Sequence, residues 1–196
     1  MALITMPSSP AFRSSEWGMR SAVAVSESPF TGASSVQSYD KRQWYAVLQL
    51  PAMLRDQAAE WQAFFLQLQG RKNTFLLGDP DAKAIRGTAT SATTAGSGAI
   101  GATVINLTIG SGKTLNKGSY IQFGSGATSR LHMVVDNNTS NGNVTFEPAL
   151  KSVVTTGATV VISEAKGVFR LDSNDISWSA DHISRYGLTF SCSEVI

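Results

Sequence analysis

The 196-residue chain carries 16 basic and 14 acidic residues, a formal net charge of +2, and charged side chains make up only 15% of it. A nucleic-acid binder concentrates Lys and Arg on one stripe; here they are scattered, with no run longer than the pairs Lys41-Arg42 and Arg71-Lys72. The single cysteine, Cys192, excludes an intrachain disulfide and a thiolate metal cluster within one chain, and fits assembly in a reducing cytoplasm.

Low charge leaves surface polarity to Ser, Thr, Asn, Gln and Gly, as in proteins whose surface is later covered by neighbours, or in any Thr- and Gly-rich β protein. Met1 to Ser15 has no basic start followed by an apolar run, so no signal peptide is expected. No stretch approaches the roughly 18 consecutive apolar residues of a membrane span.

In chain order, Ser21 to Val25 alternates small polar and apolar residues and leads to a turn signal at Ser28-Pro29. Tyr39 to Leu50 places Trp44, Ala46, Leu48 and Leu50 on one face of a strand. After Pro51, the residues Leu54, Ala58, Trp61, Phe65 and Leu68 recur at helical steps; Asp56 lies in the first turn and Gly70 at the expected cap. Phe64 and Leu66 fall off that stripe and widen the apolar surface, towards either the chain's own core or a second copy.

Usage changes between Gly87 and Lys166, which holds eleven of the 17 glycines, none of the four tryptophans and only Tyr120, Phe123 and Phe146 as aromatics. Strands are expected at Thr103 to Ile109, Ser119 to Phe123, Ser129 to Asp136, Asn143 to Phe146 and Thr159 to Ser163, with a polar turn over Asn137 to Gly142. Thr88 to Gly101 reads as a linker or weak edge strand. Three further strands follow at Val168 to Leu171, Ile176 to Ala180 and Tyr186 to Cys192. The expected fold is therefore mainly β with one helix. A β-sandwich host domain comes from residues 1–86 plus 167–196, and a small OB-like β-barrel is inserted over 87–166.

Apparent chemistry dissolves on inspection. Gly110-Ser111-Gly112-Lys113-Thr114 resembles the end of a phosphate loop, but Leu107 stands where the motif needs its first glycine and a strand pattern follows instead of a helix. His132 and His182 are the only histidines, each expected at the surface or in a turn. His182 neighbours Asp181, Ser179 and Ser184, yet adjacent strand residues face opposite ways, which argues against a triad. Gly78-Asp79-Pro80-Asp81 is expected to be a turn rather than a calcium site, and Cys192 a small core residue. No catalytic, cofactor-binding or metal-ligating residue is assigned, and no enzyme activity is expected.

Three stretches carry a resemblance. Trp44 to Met53 gives a Trp-bearing strand and a proline corner. Ala58-Ala59-Glu60-Trp61-Gln62-Ala63-Phe64 is a helix, and Leu68-Gln69-Gly70 through Thr74-Phe75-Leu76-Leu77-Gly78-Asp79-Pro80 is a turn and a strand ending Gly-Asp-Pro. Together with Gly118 to Phe123, Arg130-Leu131-His132, Val144 to Leu150 and the closing segment Phe169 to Val195, this resembles the distal tail protein of long-tailed bacteriophages and the related baseplate component of gene-transfer particles.

The resemblance implies a structural virion protein, assembled in a bacterial cytoplasm. It implies a hexameric ring at the tail tip that joins the tail tube to hub and tip proteins, with the insert facing outward, no nucleic-acid partner and no membrane insertion. Trp44, Trp61, Phe64, Phe65, Leu68 and Phe75 are the candidate assembly or packing residues. The alternatives are a carbohydrate- or receptor-binding tail module, or another minor tail or tube-capping protein. The segment Gly87 to Lys166 is shorter and poorer in aromatics than a carbohydrate-binding insert should be.

Overall fold

The computed structural model describes residues 1–181 and 185–195 and is mainly β with one helix. Its strands are β1 (Leu3–Ile4), β2 (Ser14–Glu27), β3 (Ser34–Gln49), β4 (Thr74–Leu77), β5 (Ala92–Thr94), β6 (Val104–Thr108), β7 (Tyr120–Phe123), β8 (Arg130–Val134), β9 (Gly142–Glu147), β10 (Thr159–Val160), β11 (Gly167–Leu171), β12 (Ser179–Ala180), β13 (Tyr186–Gly187) and β14 (Thr189–Glu194); α1 spans Arg55–Leu68.

Two six-stranded sheets organise the chain. The first, ordered β1-β4-β11-β14-β3-β2, draws its strands only from the two ends of the sequence. All its pairings are antiparallel except β1 with β4. The second, β10-β5-β6-β9-β8-β7, is nearly closed: Gln122 on β7 exchanges backbone hydrogen bonds with Val161, one residue past β10 (2.8 and 3.0 Å). Thr88 to Gly101 is not a linker. Its β5 sits between β10 and β6 with Ala92 and Thr94 buried, and the small side chains there carried no apolar signal.

The helix ends one residue before the expected cap, because Gln69 itself takes the left-handed conformation (φ 51). Gly70 (φ 64) is needed for a different reason: a Cβ there would lie 2.9 Å from Asn174 Oδ1, which accepts the Arg71 N–H at 3.1 Å. A helix of 14 residues is marginal alone. Its stability comes from burying Trp61, Phe64, Phe65 and Leu68, each worth about 1.5–3 kcal/mol relative to exposure.

Period two decides which side chains of the first sheet turn inward. Trp44, Ala46 and Leu48 of β3, Phe190, Cys192 and Glu194 of β14, and Phe169 and Leu171 of β11 share the buried face. At one end of that face lies α1, whose Trp61, Phe64 and Phe65 meet Phe75 and Phe190 in mostly edge-to-face contacts at 5.0–6.3 Å. At the other end lies the β7–β8 wall of the barrel. The layer opposed to the sheet is thus half helix and half barrel, and the barrel wall is buried on both sides. Tyr120 and Leu131 enter the sheet's core while Ile121, Phe123 and Val134 fill the barrel.

Candidate functional site

All six candidate residues lie in the intrachain core: Trp44, Trp61, Phe64, Phe65, Leu68 and Phe75 are each at most 6% exposed. They are packing residues, and none presents a face to a second copy. The large apolar residues left outside around α1 are Leu54, at the helix N-cap, and Leu66 on the helix, 58% and 68% exposed.

The most exposed apolar surface lies elsewhere. β14 pairs with β3 only over Tyr45 to Gln49, whereas β2 and β3 run on together to Glu27 and Ser34. Beyond a register shift, where Ser21 opposes Arg42 but Ala22 opposes Tyr39, the hairpin leaves the sheet as a two-stranded ribbon. Val23 and Val25 of β2 and Val36 of β3 share one face; Phe30 stands at the tip, 95% exposed, inside a turn closed by Ser28 N–H to Ala33 O at 2.9 Å. Sequence reading found the strand from Ser21 and the turn at Ser28-Pro29. It missed Ser34 to Ser38, a Ser- and Gln-rich stretch that pairs only with β2 among the described residues.

A groove of about 470 Å³ opens at the opposite edge of the same sheet, lined by Leu3, Met6, Pro10, Phe12, Trp61 and Leu76 among others. Lys83, Lys166, Asp79 and Glu164 stand around it, two of each sign. Asp79 is engaged with the Tyr120 phenol; burial, reinforced by that carboxylate, pushes the phenol's ionisation well above its ordinary value.

Between sheet and barrel, Leu131 is held by both its backbone groups. Trp44 Nε1–H donates to its carbonyl at 2.9 Å, and its N–H donates to Glu194 Oε1 at 3.1 Å. These side chains take the place of a neighbouring strand, because β9 reaches β8 only at Met133 and Val134. Arg42 and Glu147 pair across the same junction, and Val168 N–H reaches Ser129 O at 3.3 Å. Burial raises the Glu194 carboxyl to about 7, against the opposing pull of the Leu131 N–H and Arg130.

The chemical candidates fare as follows. His132 is buried inside the barrel at 1% exposure, against the expectation of a surface or turn position. Phe123 and Phe146 flank its ring, and Nδ1–H donates to Pro148 O at 2.6 Å. Burial lowers it to about 4, so it is neutral near pH 7 and sits where no substrate reaches. His182 and Ser184 lie outside the described residues.

Gly110 to Thr114 is a turn with both glycines at positive φ. Asp79 Oδ1 accepts the Asp81 N–H at 3.1 Å, the local turn expected of Gly-Asp-Pro-Asp. Cys192 is fully buried, and burial drives its thiol upward and away from reactivity. Among the described residues no group of three or more His, Cys, Asp or Glu side chains could hold a metal ion. No helix among them is long and apolar enough to cross a membrane. No protein-family model matches the chain, and no curated protein matches it either.

Proposed function

We propose that this chain is a structural ring subunit of a bacteriophage tail tip, closing a hexameric ring that joins the tail tube to the hub and tip proteins. The observation that carries the proposal is the ribbon: an exposed two-stranded arm with one apolar face, unpaired at its edges among the described residues, on a sheet whose opposite edge carries an apolar groove. Two different, non-overlapping patches on one subunit are what a head-to-tail contact needs, and such contacts close into rings when the rotation permits. The sequence resemblance supplies the tail-tip setting. The chain's low charge agrees with a surface that neighbours cover.

A carbohydrate-binding role for the insert draws no support from its aromatics. Tyr120, Phe123 and Phe146 are at most 7% exposed and offer a sugar no stacking face. Light scattering on the purified protein, with negative-stain imaging of the same peak, tests the ring. A closed particle at the hexamer multiple of 20.8 kDa is expected. Protein that stays at 20.8 kDa at every concentration, and adds no ring to isolated tail tubes, overturns the reading.

A further inference from the structure

We infer that the tip of the β2–β3 ribbon, with Phe30 as its knob, seats in the groove at the β1–β4 edge of a second copy of this chain; this inference rests on the ring reading above. The first argument is that the ribbon is unfinished as it stands. Two-stranded hairpins without a third strand or a packed face are marginal in water. Residues 23–39 are all exposed apart from the half-buried Ser28. Proteins that keep such an edge free usually protect it with charges, especially lysine. Between Ser21 and Tyr39 the single charged residue is Glu27. A long exposed edge without that protection, with Val23, Val25 and Val36 on one face and Phe30 at its tip, is a contact surface waiting for cover.

The second argument is where the groove lies. The strand order puts β2 at one edge of the sheet and β1 at the other, so one copy cannot fold its own ribbon across to its own groove without crossing four intervening strands. A second copy presents that groove without any rearrangement. The groove is lined by Leu3, Met6, Pro10, Phe12 and Trp61, a set that suits an aromatic knob, and its rim charges cancel, which suits an almost uncharged arm. At about 470 Å³ it has room for a phenyl ring with the adjoining proline.

The third argument is size. The nineteen residues from Ser21 to Tyr39 approach the roughly 20–30 residues that each partner gives to a standard stable interface. A tail-tube or hub protein is the competing occupant of the ribbon, but the chain itself already carries a surface of the matching chemistry.

Cysteine cross-linking reads the contact directly, since the one native cysteine is buried. Full-length Phe30→Cys protein is mixed with a size-tagged Leu3→Cys protein and treated with a short bis-maleimide. The expected product joins one chain of each kind, and Phe30→Cys mixed with Val153→Cys, a site on the exposed barrel surface, gives none. Phe30→Glu, whose side chain touches nothing in its own copy, is expected to melt like wild type while self-association weakens about thirtyfold, the loss of one interface hot spot.

Rings that persist in Phe30→Glu with no Phe30–Leu3 product overturn this docking and leave the ring reading intact. Chains that never associate and never cross-link overturn both. Phe30→Glu protein that assembles normally but no longer joins tail tubes gives the ribbon to a different partner and also overturns it.

Discussion

Glu194 on β14 of the first sheet accepts from Leu131, the β8 neighbour of His132, and Glu194 and His132 oppose each other in pH. The Glu194 carboxyl is raised from its ordinary 4.5 to about 7. The folded protein therefore holds that proton more tightly than the unfolded chain, and the stability linked to it is fully present below pH 4.5 and lost as pH rises through 7. His132 is lowered from 6.5 to about 4. Its contribution is present above 6.5 and is lost as pH falls towards 4. Each unit between folded and unfolded values is worth about 1.4 kcal/mol, so either group alone tilts stability by roughly 3 kcal/mol. Between about pH 4.5 and 6.5 the two slopes cancel.

Glu194→Gln keeps an oxygen for the Leu131 N–H and removes the titration. Urea denaturation at half-unit steps should show that wild type gains about 3 kcal/mol on Glu194→Gln between pH 7.5 and 4.5. The m-value should be unchanged. The variant should lose stability steadily below pH 6.5, because His132 then acts unopposed. Parallel curves for the two proteins, within about 0.5 kcal/mol over that range, would refute the burial argument for Glu194.

Trp44→Phe keeps the ring in the core but orphans the Leu131 carbonyl, and should cost about 1–3 kcal/mol in urea denaturation. Phe146→Ala, at the centre of the barrel and fully buried, should cost about 3–5 kcal/mol by the same measurement. Gly87→Ala would place a Cβ 2.2 Å from Thr114 O at φ 151, whereas Gly112→Ala at φ 67 meets open space. The first should lower the melting temperature severely. The second should cost only about 1 kcal/mol of backbone strain.

What the sequence made legible follows side-chain size. Alternation was readable wherever the inward residues were large, as in Trp44, Leu48 and Leu50 or Ile105 and Leu107, and the helix announced itself through Trp61, Phe65 and Leu68. It was lost at β5, whose inward residues are Ala92 and Thr94, and at β1, which is two residues long and pairs with β4 only after the chain has travelled past α1. His132 was misplaced because a polar type was read as an exposed one, and only the fold shows that Phe123, Phe146 and the Pro148 carbonyl enclose it. For the candidate assembly or packing residues, burial in the chain's own core agrees with the packing alternative. Large apolar side chains signal burial, but not whether the burial lies within a chain or between chains.

In the proposed ring, the position of the ribbon and the groove at opposite edges of the first sheet bears on how the ring closes. The ribbon continues one edge of the first sheet and the groove opens at the other, where Glu164 to Lys166 of the insert also line it; strands β4, β11, β14 and β3 lie between the two. The twist accumulated across those strands, about 20–25° per neighbouring pair, would then enter the rotation from one copy to the next in the proposed ring. The barrel acts on that twist from behind. It fills half of the sheet's apolar face, and its Leu131 is clamped by Trp44 on β3 and Glu194 on β14, two strands in the middle of the path between the edges. Substitutions on the barrel's outer surface should leave ring size untouched. Substitutions at the Trp44–Leu131–Glu194 clamp should alter it, because they change the support under the strands whose twist determines closure.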